Sequence, residues 1–362
     1  MEIKRRIVFM KCKKITGIIL IASLLFTGCS KDAHVDVTSA PSVSETITET
    51  TLNSETLAST SETLGKFEFN PHVYSAQLAK SVPQEHWDAF YNLCDALRKG
   101  ENTFNCSSEE AYKWCTDATV LCCMFPAAGL KIEAKSEDGS KAFENGTGKI
   151  TYKMPKEDWL KRQSDFESMI LDIINSNVET DDTDYEKALK LYLYIAYNYD
   201  YENKVVEVDN YVYKTFTKKI GQCINFAAVY AYLLMQVGVD ALACGTHEGT
   251  DHAWTYVTIN GKGYHIDTTW ALKSCYPGME YIYLDYFMMS DEERNSDGCL
   301  ISGLVVDTLP GYWVSNSTVS YAATDNTYNI RKYCTFLSLD EEKKIVRYST
   351  EDNEIREFKY DI

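Results

Sequence analysis

The chain is poor in positive charge. It carries 36 Lys and Arg against 53 Asp and Glu, a formal net charge of −17. So acidic a chain excludes nucleic acid as a partner, because phosphate binding needs a basic surface. Lys4, Arg5, Arg6, Lys11, Lys13 and Lys14 crowd the first few positions, so the remainder is more acidic still. Long apolar runs are also missing. Ile15 to Phe26 is uncharged and mostly apolar, but it falls short of the roughly 20 residues that a membrane span requires. The twelve cysteines include no CxxC pair, which argues against a zinc ribbon or a dithiol redox centre. His247 and His252 stand five apart with Gly249 between them. That is not the i, i+4 pair of a helical zinc motif, so neither metal nor other cofactor is expected. No internal repeat of useful length is present.

What is there begins at the N-terminus. A basic start followed by a short apolar run reads as an export signal. The run ends in Phe26-Thr27-Gly28-Cys29, which resembles a bacterial lipobox. The resemblance implies that Cys29 is lipidated and becomes the mature N-terminus, anchoring the protein to the outside of the bacterial cell membrane. Thr38 to Thr63 follows, more than half Ser and Thr, with interspersed Glu and no aromatic residue. Such a stretch buries too little apolar area to offset its ordering entropy and reads as a disordered tether. Beyond Cys12 and Cys29 ten cysteines remain: Cys94, Cys106, Cys115, Cys122, Cys123, Cys223, Cys244, Cys275, Cys299 and Cys334. If Cys223 stays a free thiol the other nine cannot all pair. That excludes a full disulfide framework and leaves one or two bridges open.

The folded part starts near Phe67. Pro83 opens a helix with Trp87, Phe90, Tyr91, Cys94 and Leu97 at helical spacing, and Gly100 ends it. A second helix is expected from the Ser107 or Ser108 cap to Pro126, with Cys122 and Cys123 buried and inert. Lys149 to Met154 reads as a strand, and Pro155 opens a long helix through Trp159, Phe166, Ile170 and Ile174. Thr183 and Glu186 form a capping box for another helix, with Leu191, Tyr194, Ile195 and Asn198 on one face. The helix that begins at Cys223 runs to Met235, and Gly238 closes it as a left-handed cap. Strands then take over: "VDALACG", "HAWTYVTI" and "GYHID", the last two joined by an Asn260-Gly261 hairpin turn. The tail alternates in the same way. The expected organisation is a signal peptide with lipobox at 1–28, a tether at 29–65, a mostly helical region at 66–180, an α+β core at 181–305 and a small β-rich region at 306–362.

Three side chains in this order suit acyl-transfer chemistry. Cys223 occupies the first turn of its helix, where unpaired N–H groups and the helix dipole favour a thiolate. A two-residue turn at Asn260-Gly261 pairs Ile259 with Lys262, which sets Trp254 opposite Asp267 and His252 opposite Thr269. His252 and Asp267 then lie diagonally on one sheet face, with backbones about 7–8 Å apart. A thiolate attacks an acyl carbon, an imidazole moves the proton, and a carboxylate fixes the imidazole's tautomer. His265 is a rival base, because it points to the same face as Asp267. The backbone N–H of Cys223 is the natural oxyanion donor. A second donor is sought among Gln222, Asn198 and the nearby tyrosines. Trp254 and Trp270 are placed lining the cleft or in the core beneath it, with core the better reading for Trp270.

"GQCINFA", "HAW" and "HIDTTW" resemble the three core motifs of the transglutaminase-like superfamily, over Tyr185 to Trp270, with a weaker echo in "YFMMSDEER". The resemblance implies a papain-like α+β core with Cys223, His252 and Asp267 as nucleophile, base and orienting acid. Ile224 stands where transglutaminases proper usually have Trp, so hydrolysis of peptide or side-chain amide bonds is favoured over amine transfer. No acidic cluster matches the calcium sites of animal members. The expected partner is a peptide or protein substrate. The alternative is a non-catalytic module that uses its 26 tyrosines to hold a peptide or carbohydrate.

Overall fold

A computed structural model describes residues 65–202, 211–276, 278, 281–309, 319–331 and 333–361. All lie in one compact unit, 61–362. The signal, Cys29 and the tether lie outside the described residues.

The region before the central sheet is mainly helical: α1 (Gln84–Lys99), α2 (Glu109–Cys115), α3 (Ala118–Met124), α4 (Lys156–Asn177), α5 (Asp184–Asn198), α6 (Tyr211–Lys218) and α7 (Cys223–Gln236). Gly100 closes α1 at φ 67°, the left-handed cap that glycine adopts without strain. The single helix expected over 107–126 is two. Asp117 sits between them in extended conformation and accepts from the N–H groups of Thr119 and Val120. A side chain that caps a helix this well ends the preceding one. The strand expected from Lys149 to Met154 is also divided. Thr147–Lys149 pairs with Thr103–Asn105, and Thr151–Tyr152 with Ile132–Glu133. Ile150, buried between them, turns the chain from one small sheet to the other.

The central sheet has four strands in the order β3-β2-β1-β4: β1 (Asp240–Thr246), β2 (His252–Ile259), β3 (Lys262–Ile266) and β4 (Leu304–Val306). All its pairings are antiparallel. Asn260 and Gly261 both have positive φ, 52° and 74°, the type I′ geometry that matches strand twist. Ile259 faces Lys262, the register read from the sequence. A short helix, α8 (Asp291–Ser296), precedes β4, and the tail is a meander of β5 (Thr335–Asp340), β6 (Ile345–Ser349) and β7 (Ile355–Lys359).

Helix α7 packs against β1 and β2. Every side chain from Asn225 to Gln236 is buried, as expected of a helix that is apolar on all sides. Tyr230 Oη donates to the Ala188 carbonyl at 2.7 Å, and Thr255 Oγ1 donates to the Ala227 carbonyl at 2.9 Å. These bonds tie α7 to α5 and to the sheet. On α5 the face differs from expectation: Tyr192 and Ala196 are buried with Leu191 and Ile195, Tyr194 is half-buried, and Asn198 is exposed.

Glu186 pins the tail to the body. Its Oε2 accepts from Thr183 N and Oγ1, both at 2.7 Å, and its Oε1 from Lys344 Nζ at 2.8 Å and Tyr360 Oη at 2.6 Å. Burial raises this carboxyl, but the bonds from Lys344, Tyr360 and Thr183 outweigh it and hold it near 2. A depressed carboxyl stabilises above its unfolded value of about 4.3, and that gain is lost as pH falls toward the folded value. Glu186→Gln should cost about 1–3 kcal/mol at neutral pH. It should also flatten the dependence of Tm on pH below about 4.5, as read by thermal melts across an acid series.

Candidate functional site

The cysteine's position is set by its neighbours in sequence. Gly221 pairs with Tyr201 in a short parallel bridge. A Cβ on Gly221 would lie 2.6 Å from Thr215 Oγ1 and 3.1 Å from Asn225 Cβ, so only glycine fits there. Asn225 Oδ1 accepts from the Gln222 N–H at 2.9 Å and closes the helix start. Cys223 is therefore the first residue of α7, where a backbone N–H has no intrahelical acceptor. Its side chain is half-buried. None of the ten cysteines among the described residues is joined in a disulfide. No group of three or more His, Cys, Asp or Glu among those residues could hold a metal ion.

His252 begins β2 and faces the sulfur. Its Nε2 bonds Asp267 Oδ2 at 2.7 Å, and Cys223 lies within hydrogen-bonding reach of the same ring. With Nε2 occupied, the nitrogen left for the thiol is Nδ1. The imidazole stacks on Trp270, with centroids 4.6 Å apart and planes 13° apart. Burial works against protonating this ring. The charge and hydrogen bond of Asp267, helped by Cys223, outweigh burial and push the ring up to about 9. At neutral pH the site thus favours an imidazolium facing the sulfur.

Asp267 is sealed from water. Its Oδ1 accepts from the N–H groups of Thr269 at 3.0 Å and Trp270 at 3.1 Å. Its Oδ2 accepts from His252 and from Arg294 Nη1, the latter at 3.2 Å. Burial raises this carboxyl, yet His252, Arg294 and the Trp270 N–H together bring it below the ordinary carboxylate value. Arg294 is fully buried on α8, its guanidinium 4.4 Å from the ring centroid of Trp254 and 4.7 Å from that of Trp270. Cation–π contact with two indoles compensates a buried charge that has a single strong ion-pair partner. Backbone bonds between His265 and Met289, and from Asp267 N to the Tyr286 carbonyl, lead the chain beside β3 and deliver Arg294.

The remaining candidates sort as follows. His265 is not the base: it is buried, accepts from Trp254 Nε1 at Nδ1 (2.9 Å), and bonds Asp291 through Nε2 (2.8 Å). Burial lowers its pKa against the pull of Asp291. The two tryptophans divide the sites between them. Trp254 is buried beneath Arg294, while Trp270, the one read as core, is half-exposed against the imidazole. Asn198 is exposed, and its Nδ2 donates to the Tyr194 carbonyl at 2.7 Å. Gln222 Nε2 donates to the Glu202 carbonyl at 3.1 Å. Neither amide is held ready for an oxyanion. Tyr201, whose ring is exposed, has its phenol raised by partial burial and then by Cys223 and Cys275, so it stays protonated. The sequence reading missed Arg294. Its one signal was a lone cation ending the acidic "SDEER".

A thiol at a helix start, facing an imidazole held by a buried acid on an α+β frame, is the arrangement of a thiol-dependent acyl-transfer site. The family model of the transglutaminase-like superfamily matches residues 172–268. The chain thus contains a transglutaminase-like core, and Cys223, His252 and Asp267 all fall within it. No curated protein matches the chain. Among solved structures, the chain is similar to a protein described as a proposed cysteine protease from Cytophaga hutchinsonii. The identity is 16%, over 43% of this chain and 45% of that one, with a TM-score of 0.28.

The protonation of His252 is directly testable. Its ring resonances, followed by NMR, should titrate near pH 9. In Asp267→Asn the titration should move down by at least about one pH unit, because the charge that favours the imidazolium is gone.

Proposed function

We propose that this protein is an exported cysteine-nucleophile acyl-transfer enzyme that hydrolyses peptide or side-chain amide bonds. One observation carries the reading: His252 is bonded through one nitrogen to a buried carboxylate, with the Cys223 thiol in reach of the ring. The sulfur attacks the carbonyl carbon, and the C–N bond breaks as His252 gives its proton to the departing amine. Water then attacks the thioester, with His252 taking its proton, and the acid is released. Asp267 keeps the ring oriented and stabilises its charged form. The Cys223 N–H and the Tyr201 phenol are the donors for the developing oxyanion. If an amine displaces water at the thioester, the same site transamidates.

Export and lipidation at Cys29 belong to this proposal. The basic start, the short apolar run and the lipobox-like Phe26-Thr27-Gly28-Cys29 support them. They place the site outside the cell, where peptides and proteins are the available amides. Cys29→Ala should release the protein from the membrane fraction and abolish incorporation of labelled fatty acid.

Incubation of the residues from 61 onward with a peptide library, scoring chain cleavage against ammonia release, identifies the reaction. Cys223→Ala should abolish both products and leave the thermal melt unchanged. Tyr201→Phe should lower kcat by about 10²-fold with little change in KM. Persistence of either product in Cys223→Ala would refute the mechanism.

A further inference from the structure

A cavity of about 300 Å³ opens beside the first turns of α7. Ile224 and Ala228 form one wall, Ala118 and Cys122 of α3 another, and Leu130 and Asp307 complete it. The lining is mostly apolar, and Asp307, directly after β4, is the only carboxylate among the described lining residues. Its Oδ2 is closed off from solvent and has no hydrogen-bond partner among the described residues. Burial pushes this carboxyl up to about 6, against the opposing influence of His247. His247 is itself exposed and bonded to Asp251 at 3.0 Å. At neutral pH the cavity therefore holds a negative charge that no described cation pairs with. A partly buried charge with one oxygen closed off and unpaired is costly, and a ligand that brings a cation into the cavity offsets part of that cost.

The cavity also adjoins the nucleophile along the chain. Gln222 and Ile224, the residues on either side of Cys223, both line it. A side chain on the carbon next to the attacked carbonyl can enter it from there. An aliphatic stem suits the apolar walls, and a terminal cation suits Asp307. With Oδ2 closed off, a guanidinium could not take both carboxylate oxygens, whereas an ammonium needs only one. We propose that this cavity selects a lysine-type side chain, an alkyl stem ending in an ammonium group, on the acyl side of the bond that Cys223 attacks. The proposal rests on the nucleophile assignment and adds the substrate class to it.

The test uses two peptidyl acyloxymethyl ketones that differ only in the residue next to the ketone, lysine in one and norleucine in the other. In each the sulfur bonds the methylene carbon and the carboxylate leaves. Second-order labelling rates at Cys223, mapped by mass spectrometry at neutral pH, should favour lysine by about tenfold or more. Asp307→Asn should bring the ratio close to one. Ile224→Trp, at a position 50% exposed and so tolerant of change, should fill the cavity and do the same. Equal rates in the wild type, or a ratio that survives both substitutions, would overturn the pocket and leave the nucleophile standing. Failure of both probes to label Cys223 would overturn the nucleophile assignment and this proposal with it. The wild-type ratio needs no variant to fold.

Discussion

The charge of Asp267 governs the rest of the site. A carboxylate sealed from water is unfavourable unless its lone pairs and its charge are both met. Two backbone N–H groups meet one oxygen, and His252 and Arg294 meet the other. Each partner is fixed by a different part of the chain: the turn after β3, the start of β2, and α8. Arg294 in turn lies between two indoles. The result is an imidazole held in one orientation and biased toward its charged form. Arg294 touches no reacting atom. It is a positioning residue that acts through Asp267, and through Trp270 on the far side of the imidazole.

The sulfur is positioned by separate means. A helix buried from Asn225 to Gln236 cannot rotate or slide without unpacking, and α7 is locked by its Tyr230 Oη donating to the Ala188 carbonyl of α5 and by Thr255 Oγ1 of β2 donating to its Ala227 carbonyl. Gly221 lets the chain pass Thr215 closely enough to start that helix at Cys223. Helix and sheet thus bring their chemistry to a common point without a covalent link between them. Displacing either by about 1 Å would cost roughly 10²-fold in rate. The acid-floored cavity beside the same helix start is the proposed selector of the acyl donor.

Much of this was legible in the sequence. Asn260-Gly261 dictated the turn, the turn dictated the register, and the register set His252 near Asp267. Thr183 with Glu186, and Gly100 and Gly238 as left-handed caps, marked helix ends through local chemistry alone. The misreadings arose where local signals competed or where contacts were remote. Apolar periodicity across 107–126 masked Asp117, whose capping bonds split the helix. Trp270, read as core, instead stands against the imidazole because β3 stops at Ile266, one residue short of Asp267. Trp270 therefore follows a turn rather than a strand. Arg294 reaches the site only through the tertiary pairing of Tyr286–Met289 beside β3. No spacing rule encodes that pairing.

The account turns on whether the imidazole activates this one sulfur among ten. Trace iodoacetamide, added near neutral pH and read at every cysteine by mass spectrometry, decides it most directly. Cys223 should be alkylated first, at least about tenfold faster than the half-buried Cys122 and Cys275, and His252→Ala should erase that lead. Labelling of Cys223 no faster than those two thiols, or a lead that persists without His252, would contradict it.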